Sequence, residues 1–257
     1  MQTPPLRTAL ITGASSGIGQ AIAESLAQAS FRLIICGRRT ERLQALSQKL
    51  EAFTEVYSLS FDVRHRNETL EALASLPEAW QQVDVLINNA GNAHGLATIQ
   101  YGSLDDWDAM MESNVQGLLY VSKFFIPQMI ARKAGHIINI GSIAGKEVYP
   151  NGNVYCASKA AVDALTQGMR LDLNPYGIKV TGIHPGLVAT EFSMVRFKGD
   201  EARAAKVYQD YTPLYAQDIA ETVAFVLSRP AHVQIADLVI FPTAQASATV
   251  VHKSPSV

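Results

Sequence analysis

Residues 8–19 read Thr-Ala-Leu-Ile-Thr-Gly-Ala-Ser-Ser-Gly-Ile-Gly, a short apolar run passing straight into a glycine-rich turn. Helical periodicity follows over residues 18–29, so the segment is a strand, a turn and a helix. Gly13, Gly17 and Gly19 occupy the turn. Without a Cβ, the backbone there can bend sharply and come close to a pyrophosphate, which the free N–H groups of the helix N-terminus would then face. The spacing is G-x-x-x-G-x-G rather than the general G-x-G-x-x-G. Glycine turns are common in ordinary βα loops; the strand–turn–helix context is what gives this one weight.

Outward from this stretch, short apolar runs alternate with helix-period segments. Strands are expected over 32–36, 55–60, 83–87, 135–140, 178–183 and 237–241. Helices are expected over 40–50, with Thr40 as a candidate N-cap, and over 67–74, 104–131, 154–173 and 218–227. This alternation predicts an α/β fold with a parallel sheet. There is no repeat, low-complexity tract or linker, so residues 1–257 read as one domain. Whether 244–257 packs or frays is left open.

The bulk properties exclude several classes. A net charge of −2 with no basic block gives no support to nucleic acid as a partner. Two cysteines, Cys36 and Cys156, make no disulfide framework and read as packing residues, as do Trp80 and Trp107. The start, Met1 to Arg7, lacks the apolar core of a secretory signal, and no apolar run approaches the ~18–20 residues of a membrane helix. A cytoplasmic location without membrane contact is therefore expected. The six histidines show no ligand spacing, so no metal is expected.

The end of the second strand addresses the cofactor. An acid is usual there when a ribose 2′-hydroxyl is free, but the sequence is Cys36-Gly37-Arg38-Arg39. Two guanidiniums suit a 2′-phosphate, and cations at a helix N-terminus otherwise sit unfavourably. The reading is NADP(H); the alternative is a pair of solvated arginines. Asp62-Val63 after the third strand could border an adenine ring, and Asn88-Asn89-Ala90-Gly91 after the fourth a nicotinamide ribose.

Tyr155 and Lys159 lie four apart on a helix and share a face. A nearby ammonium would lower the phenol pKa from its usual value near ~10, making Tyr155 a general base for alcohol oxidation and an acid for carbonyl reduction. Ser142, after the fifth strand, could hold a substrate oxygen. Asn114 sits inside an expected helix, where fixing a helix distortion and a relay water would account for it, as would simple exposure.

Thr12–Gly19, Asn88–Gly91, Asn114, Ser142, Tyr155-Cys156-Ala157-Ser158-Lys159 and Pro185-Gly186 together resemble the short-chain dehydrogenases/reductases. The resemblance implies a Rossmann fold with a doubly wound, seven-stranded parallel sheet flanked by helices. It implies Tyr155 as acid/base, Lys159 tuning it and holding the ribose, Ser142 orienting substrate, and Asn114 anchoring a relay water. Ser15, Ser16, Ile18, Val188 and Thr190 would join the glycines, Arg38, Arg39, Asp62, Val63, Asn89, Ala90, Gly91, Pro185 and Gly186 around the cofactor. A homotetramer built through the two long helices is implied as well. His184 is assigned no chemistry.

The stretch from Pro185 through Thr190-Glu191-Phe192 to Val195-Arg196-Phe197-Lys198-Gly199, with Gly152-Asn153-Val154 and Pro230-Ala231-His232-Val233, resembles the NADP-dependent 3-hydroxy acid (serine and L-allo-threonine) dehydrogenases. The implied substrate carries a carboxylate, for which Arg196 and Lys198, in a flap around 187–215, are the candidate cations; alternatively both are surface charges holding the flap. Competing functions are reduction of a 3-oxoacyl thioester, a pteridine ketone or xenobiotic ketones, or a non-catalytic NADP(H) sensor.

Overall fold

Parallel strands buried on both faces read as near-continuous apolar runs, and the sheet is built from such runs. In the computed structural model, which describes residues 6–254, the strands are β1 (Thr8–Thr12), β2 (Arg32–Gly37), β3 (Val56–Ser60), β4 (Val85–Asn88), β5 (His136–Ile140), β6 (Lys179–Pro185), β7 (Val188–Ala189), β8 (Leu214–Tyr215) and β9 (Asp237–Ile240). Seven form one parallel sheet in the order β3-β2-β1-β4-β5-β6-β9; β7 and β8 pair separately. Within β1, Ala9 and Ile11 face one layer and Leu10 the other, the period-two alternation of a strand.

The helices are α1 (Gly17–Gln28), α2 (Thr40–Leu50), α3 (Arg66–Ala74), α4 (Glu78–Gln81), α5 (Leu104–Met111), α6 (Gly117–Arg132), α7 (Asn153–Leu173), α8 (Phe192–Arg196), α9 (Glu201–Lys206) and α10 (Ala216–Leu227). One core layer joins α1, α2 and α10 to the sheet through Ile22, Leu26, Leu43, Ile219 and Val223. The opposite layer is filled by Leu73, Val121, Phe125, Met129 and Leu173. The chain winds outward in both directions from β1 and β4. Their C-terminal ends therefore flank the switch point, where a doubly wound sheet binds its ligands.

The seven expected strands all form, with ends displaced by no more than two residues. Thr40 is the first helical residue of α2 rather than its cap, which is Arg39. The expected helix 104–131 is interrupted: α5 and α6 meet through a π-turn, Glu112–Gln116. Helix α4 and the excursion β7-α8-α9-β8 were not expected as regular structure. That excursion coincides with the expected flap, its base tied by Val188↔Leu214 and Ala189↔Tyr215. Gln245 and Val251 form a bridge in the tail, whose last three residues lie outside the described range, as do the first five of the N-terminal segment.

At Gly19 a Cβ would lie 2.4 Å from both Gly13 O and Asn89 Nδ2, so the first turn of α1 packs directly on backbone. We expect Gly19→Ala to lower stability by about 1–3 kcal/mol, the usual cost of overpacking, measured as a fall in the urea midpoint.

Candidate active site

A cleft of about 310 Å³ opens at the C-terminal ends of β1, β2 and β4. Gly13 there has φ +67°, and a Cβ on it would meet Ala90 Cα at 2.9 Å, so the turns after β1 and β4 touch. Thr12 joins them: its Oγ1 accepts from Asn89 N (3.1 Å) and Ala90 N (3.0 Å), while Asn89 Nδ2 donates to Thr12 O (2.9 Å). Gly17 has φ +54° and opens α1 behind an N-cap, Ser16, whose side chain makes no capping bond. The first turn of α1 holds no acidic residue of its own. Ser15 and Ile18 complete this wall.

Arg38 and Arg39 end β2 at the cleft rim. Arg39 Nε donates to Ser15 Oγ (3.2 Å), its Nη2 to Ser16 Oγ, and its Nη1 to Glu191 Oε2 (3.0 Å) across the opening. Arg42 holds the other Glu191 oxygen at 2.8 Å. These hydrogen bonds, Arg42's first and then Arg39's, keep the Glu191 carboxyl below the usual carboxylate range. Asp62 is desolvated, which opposes its ionisation, but Arg64 (2.7 Å) and Arg38 (3.5 Å) outweigh that and lower its pKa. Its carboxylate is thus engaged by arginines, leaving Val63 and the Phe61–Val63 backbone as the nearer surface for a ring.

Deeper in the cleft, Tyr155 and Lys159 emerge from α7 on one face, both buried. Lys159 Nζ donates to Ile140 O (2.9 Å), and a Cβ on Gly91 would lie 3.5 Å from it. The expected lowering of the phenol by this ammonium is not what the structure gives. Burial pushes the Tyr155 phenol up, with Tyr149 adding to it, against lowering by Ser142 and Arg196. Burial also depresses Lys159 itself, to about 8. Ser142 caps the short 3₁₀ turn Ile143–Gly145 and sits close enough to Tyr155 to favour the ionised phenol.

Asn114 occupies the π-turn, the distortion its awkward position suggested. Its Oδ1 accepts from Asn92 N (2.8 Å), and its Nδ2 donates to Asn92 O (2.9 Å) and Ser158 Oγ (2.9 Å). With Ser113 Oγ also donating to Oδ1 (3.2 Å), the side-chain amide is filled, and it braces the loop after β4 against α7. Gly19 too does not line the cleft; it is the packing contact described above. Asn88 turns into the core, donating to Ser122 Oγ and Asn139 Oδ1 (2.9 Å each), while the remaining expected cofactor residues, Pro185, Gly186, Val188 and Thr190 included, line the cleft.

The two flap cations part company. The Arg196 guanidinium lies 5.5 Å from the Tyr155 ring centre and 5.4 Å from that of Tyr149, with Nε donating to Gly95 O (3.2 Å). Lys198 turns away at φ +54° and pairs with Asp106 (3.0 Å), leaving it outside the site. This pairing favours the second of the two expected readings, a surface charge tying the flap to α5. Sequence reasoning missed Phe192, whose ring packs 5.6 Å from Tyr155, and Tyr149; Phe192 opens a five-residue helix and Tyr149 lies in irregular chain, so neither carries a periodic signal.

Because the folded pKa of Lys159, about 8, lies below its ordinary 10.5, the unfolded chain binds more protons between those values. Wild-type stability relative to Lys159→Met therefore should rise with pH from about 8 to 10.5 and stay flat below, as chemical denaturation at stepped pH will show.

The family model for short chain dehydrogenase matches residues 7–201. NADP-dependent 3-hydroxy acid dehydrogenase YdfG of Salmonella typhi is 45% identical over 95% of this chain and 99% of its own length. Sulfoacetaldehyde reductase 2 of Chromohalobacter salexigens is 42% identical over 92% of this chain and 94% of its own. The closed form of serine dehydrogenase complexed with NADP+ superposes with a TM-score of 0.91 at 43% identity, covering 96% of this chain and all of that one. With the turn, the Tyr155–Lys159 face and the Ser142 loop arranged as above, the chain belongs to the short-chain dehydrogenase family.

Proposed function

We propose that this protein is an NADP(H)-dependent oxidoreductase transferring hydride between the nicotinamide and the β-hydroxyl carbon of a 3-hydroxy acid of the serine or L-allo-threonine type. The observation that carries the substrate class is Arg196: a cation held over the Tyr155 ring, beside the phenol that would handle the reacting hydroxyl. The names of the relatives, a 3-hydroxy acid dehydrogenase and a serine dehydrogenase, support it. The sulfoacetaldehyde reductase supports a second reading, in which Arg196 holds a sulfonate in place of the carboxylate.

The residues present fit a phosphate-tagged dinucleotide. The close approach at Gly13, the acid-free N-terminus of α1 and the guanidiniums of Arg38 and Arg39 supply the contacts such a molecule needs. When bound, its nicotinamide supplies the hydride acceptor or donor. The chain's own groups do the rest. Ser142 holds the substrate oxygen, and Tyr155 takes the hydroxyl proton in oxidation or returns it in reduction. The buried Lys159 ammonium keeps positive charge within the same pocket, where a low dielectric strengthens it. Phe192 covers the phenol ring and limits water access. Arg196 positions the anionic end, and the flap, held by Lys198–Asp106 and Glu191–Arg42, closes the site.

As to assembly, exposed Leu104, Met111 and Leu119 on α5 and α6 and Leu171 on α7 support the homotetramer built through the long helices. No helix among the described residues is long and apolar enough to cross a membrane, in keeping with a cytoplasmic enzyme.

Three variants test this reading. Tyr155→Phe should reduce NADP+ turnover with L-serine or 3-hydroxybutyrate by on the order of 10²–10⁴-fold; equal rates would remove the proposed acid/base. Arg196→Ala should raise KM for 3-hydroxy acids by roughly tenfold or more, from loss of a charged hydrogen bond, and leave neutral secondary alcohols nearly unaffected. A parallel series with hydroxysulfonates separates the two anions. In Arg39→Ala the preference for NADP+ over NAD+ should collapse, read as the ratio of the two kcat/KM values.

A further inference from the structure

The turn that carries Ser142 is anchored by a charged cluster the reaction does not use. Lys146 ends this turn, and its Nζ donates at 2.9 Å to Asp163 Oδ1 and at 2.9 Å to Asp237 Oδ2. Asp163 lies on α7, one helical turn beyond Lys159; Asp237 opens β9. His184 of β6, fully buried, places Nε2 2.6 Å from Asp237 Oδ1 and 3.7 Å from Asp163 Oδ1, close but poorly aligned for a hydrogen bond. Two carboxylates, an imidazole and an ammonium from four elements thus meet, and the ammonium supplies the positive charge the carboxylates require.

The cluster adjoins the reacting groups. A Cβ on Gly145 would sit 2.5 Å from Lys159 O, so the Ser142 turn rests directly on α7 beside the lysine. A Cβ on Gly141 would sit 2.4 Å from His184 Nδ1, so the residue preceding Ser142 rests on the imidazole. The turn therefore rests sterically on α7 and on the imidazole, and the ionic support ties it to α7 and β9 at once.

We propose that Lys146 is a positioning residue: clamped between Asp163 and Asp237, it fixes the Ser142 turn against α7 and so keeps the Ser142 hydroxyl beside Tyr155 in the cleft. This rests on the reading of Ser142 and Tyr155 as the reacting pair. Both carboxylates act on Lys146 to hold its proton, outweighing desolvation, and Lys146 in turn keeps Asp163 ionised, so the clamp is charged at neutral pH. Loosening it lets Ser142 drift from the phenol and removes an interaction that lowers the phenol's pKa. The other groups acting on the phenol make no contact with Lys146: Tyr149 and Cys156, which raise its pKa, and Arg196, which lowers it; Lys159 lies one turn further along α7.

The test is Lys146→Met beside Lys146→Arg, with kcat, KM and the pH profile of 3-hydroxy acid oxidation measured for each. Expected for methionine is a fall in kcat on the order of tenfold to a hundredfold, the cost of a small misplacement near the chemistry. KM for NADP+ should be unchanged and the pH midpoint for oxidation displaced upward, with arginine recovering most of the loss. Should the methionine variant not accumulate, Asp237→Asn removes one half of the clamp and should move kcat and the midpoint the same way. Wild-type kcat and midpoint in Lys146→Met, whether or not its thermal midpoint falls, would overturn the proposal, as would an arginine variant no better than methionine. Tyr155→Phe, run alongside, separates the cases: activity retained there refutes the underlying pair rather than the clamp.

Discussion

The contact between two backbone turns, after β1 and after β4, is the constraint on which the site depends. Thr12 is bonded to the amides of Asn89 and Ala90, and Gly13 touches Ala90 with no room for a side chain. This closeness sets the width of the cleft, because every lining element hangs from one of those two strands or a neighbour. Gly91 extends the same requirement, since a Cβ there would meet Asn114 Oδ1 at 2.8 Å, while Gly17 answers a left-handed φ of +54°. The glycines are thus spacing devices first, and only through spacing do they become binding elements.

Electrostatics in this cleft are organised by burial as much as by pairing. Lys159 is held by a carbonyl rather than by a carboxylate, so desolvation acts on it without relief from an opposite charge. Tyr155 feels the same dry surroundings and is pushed toward its neutral form. At the rim the arrangement is the reverse: Arg38, Arg39, Arg42 and Arg64 are partly exposed and share only Asp62 and Glu191. The rim thereby carries an excess of positive charge while the floor carries groups whose charge is costly. An anionic molecule entering from outside meets attraction before it meets restriction.

Much of this was legible in the chain. The strands announce themselves because a parallel sheet buries both faces, and the runs around Leu10, Ile34, Leu86, Ile138 and Ile183 admit little else. The cleft residues were legible because glycine, Arg38-Arg39 and the Tyr155–Lys159 spacing each answer a chemical need. What stayed hidden depends on where distant side chains go. Arg196 and Lys198 are two apart and alike in charge, yet the left-handed turn at Lys198 sends it to Asp106 while Arg196 faces inward. Lys159 reaches Ile140 instead of its helix neighbour, and His184 finds carboxylates from α7 and β9. The helices of the flap are only five and six residues long, too short to show a period.

The π-turn at Glu112–Gln116 has a bearing on what this segment tolerates. One surplus residue is accommodated inside an otherwise continuous rod, and it sets the rotational phase between α5 and α6. Drawing the same residues into a regular α-helix would restore an unbroken ladder. That straightening would rotate one half of the rod by about 100° against the other, turning either Val121 and Phe125 or Met110 out of the core. The irregularity persists because straightening the helix with all its residues in place would unseat one of its ends.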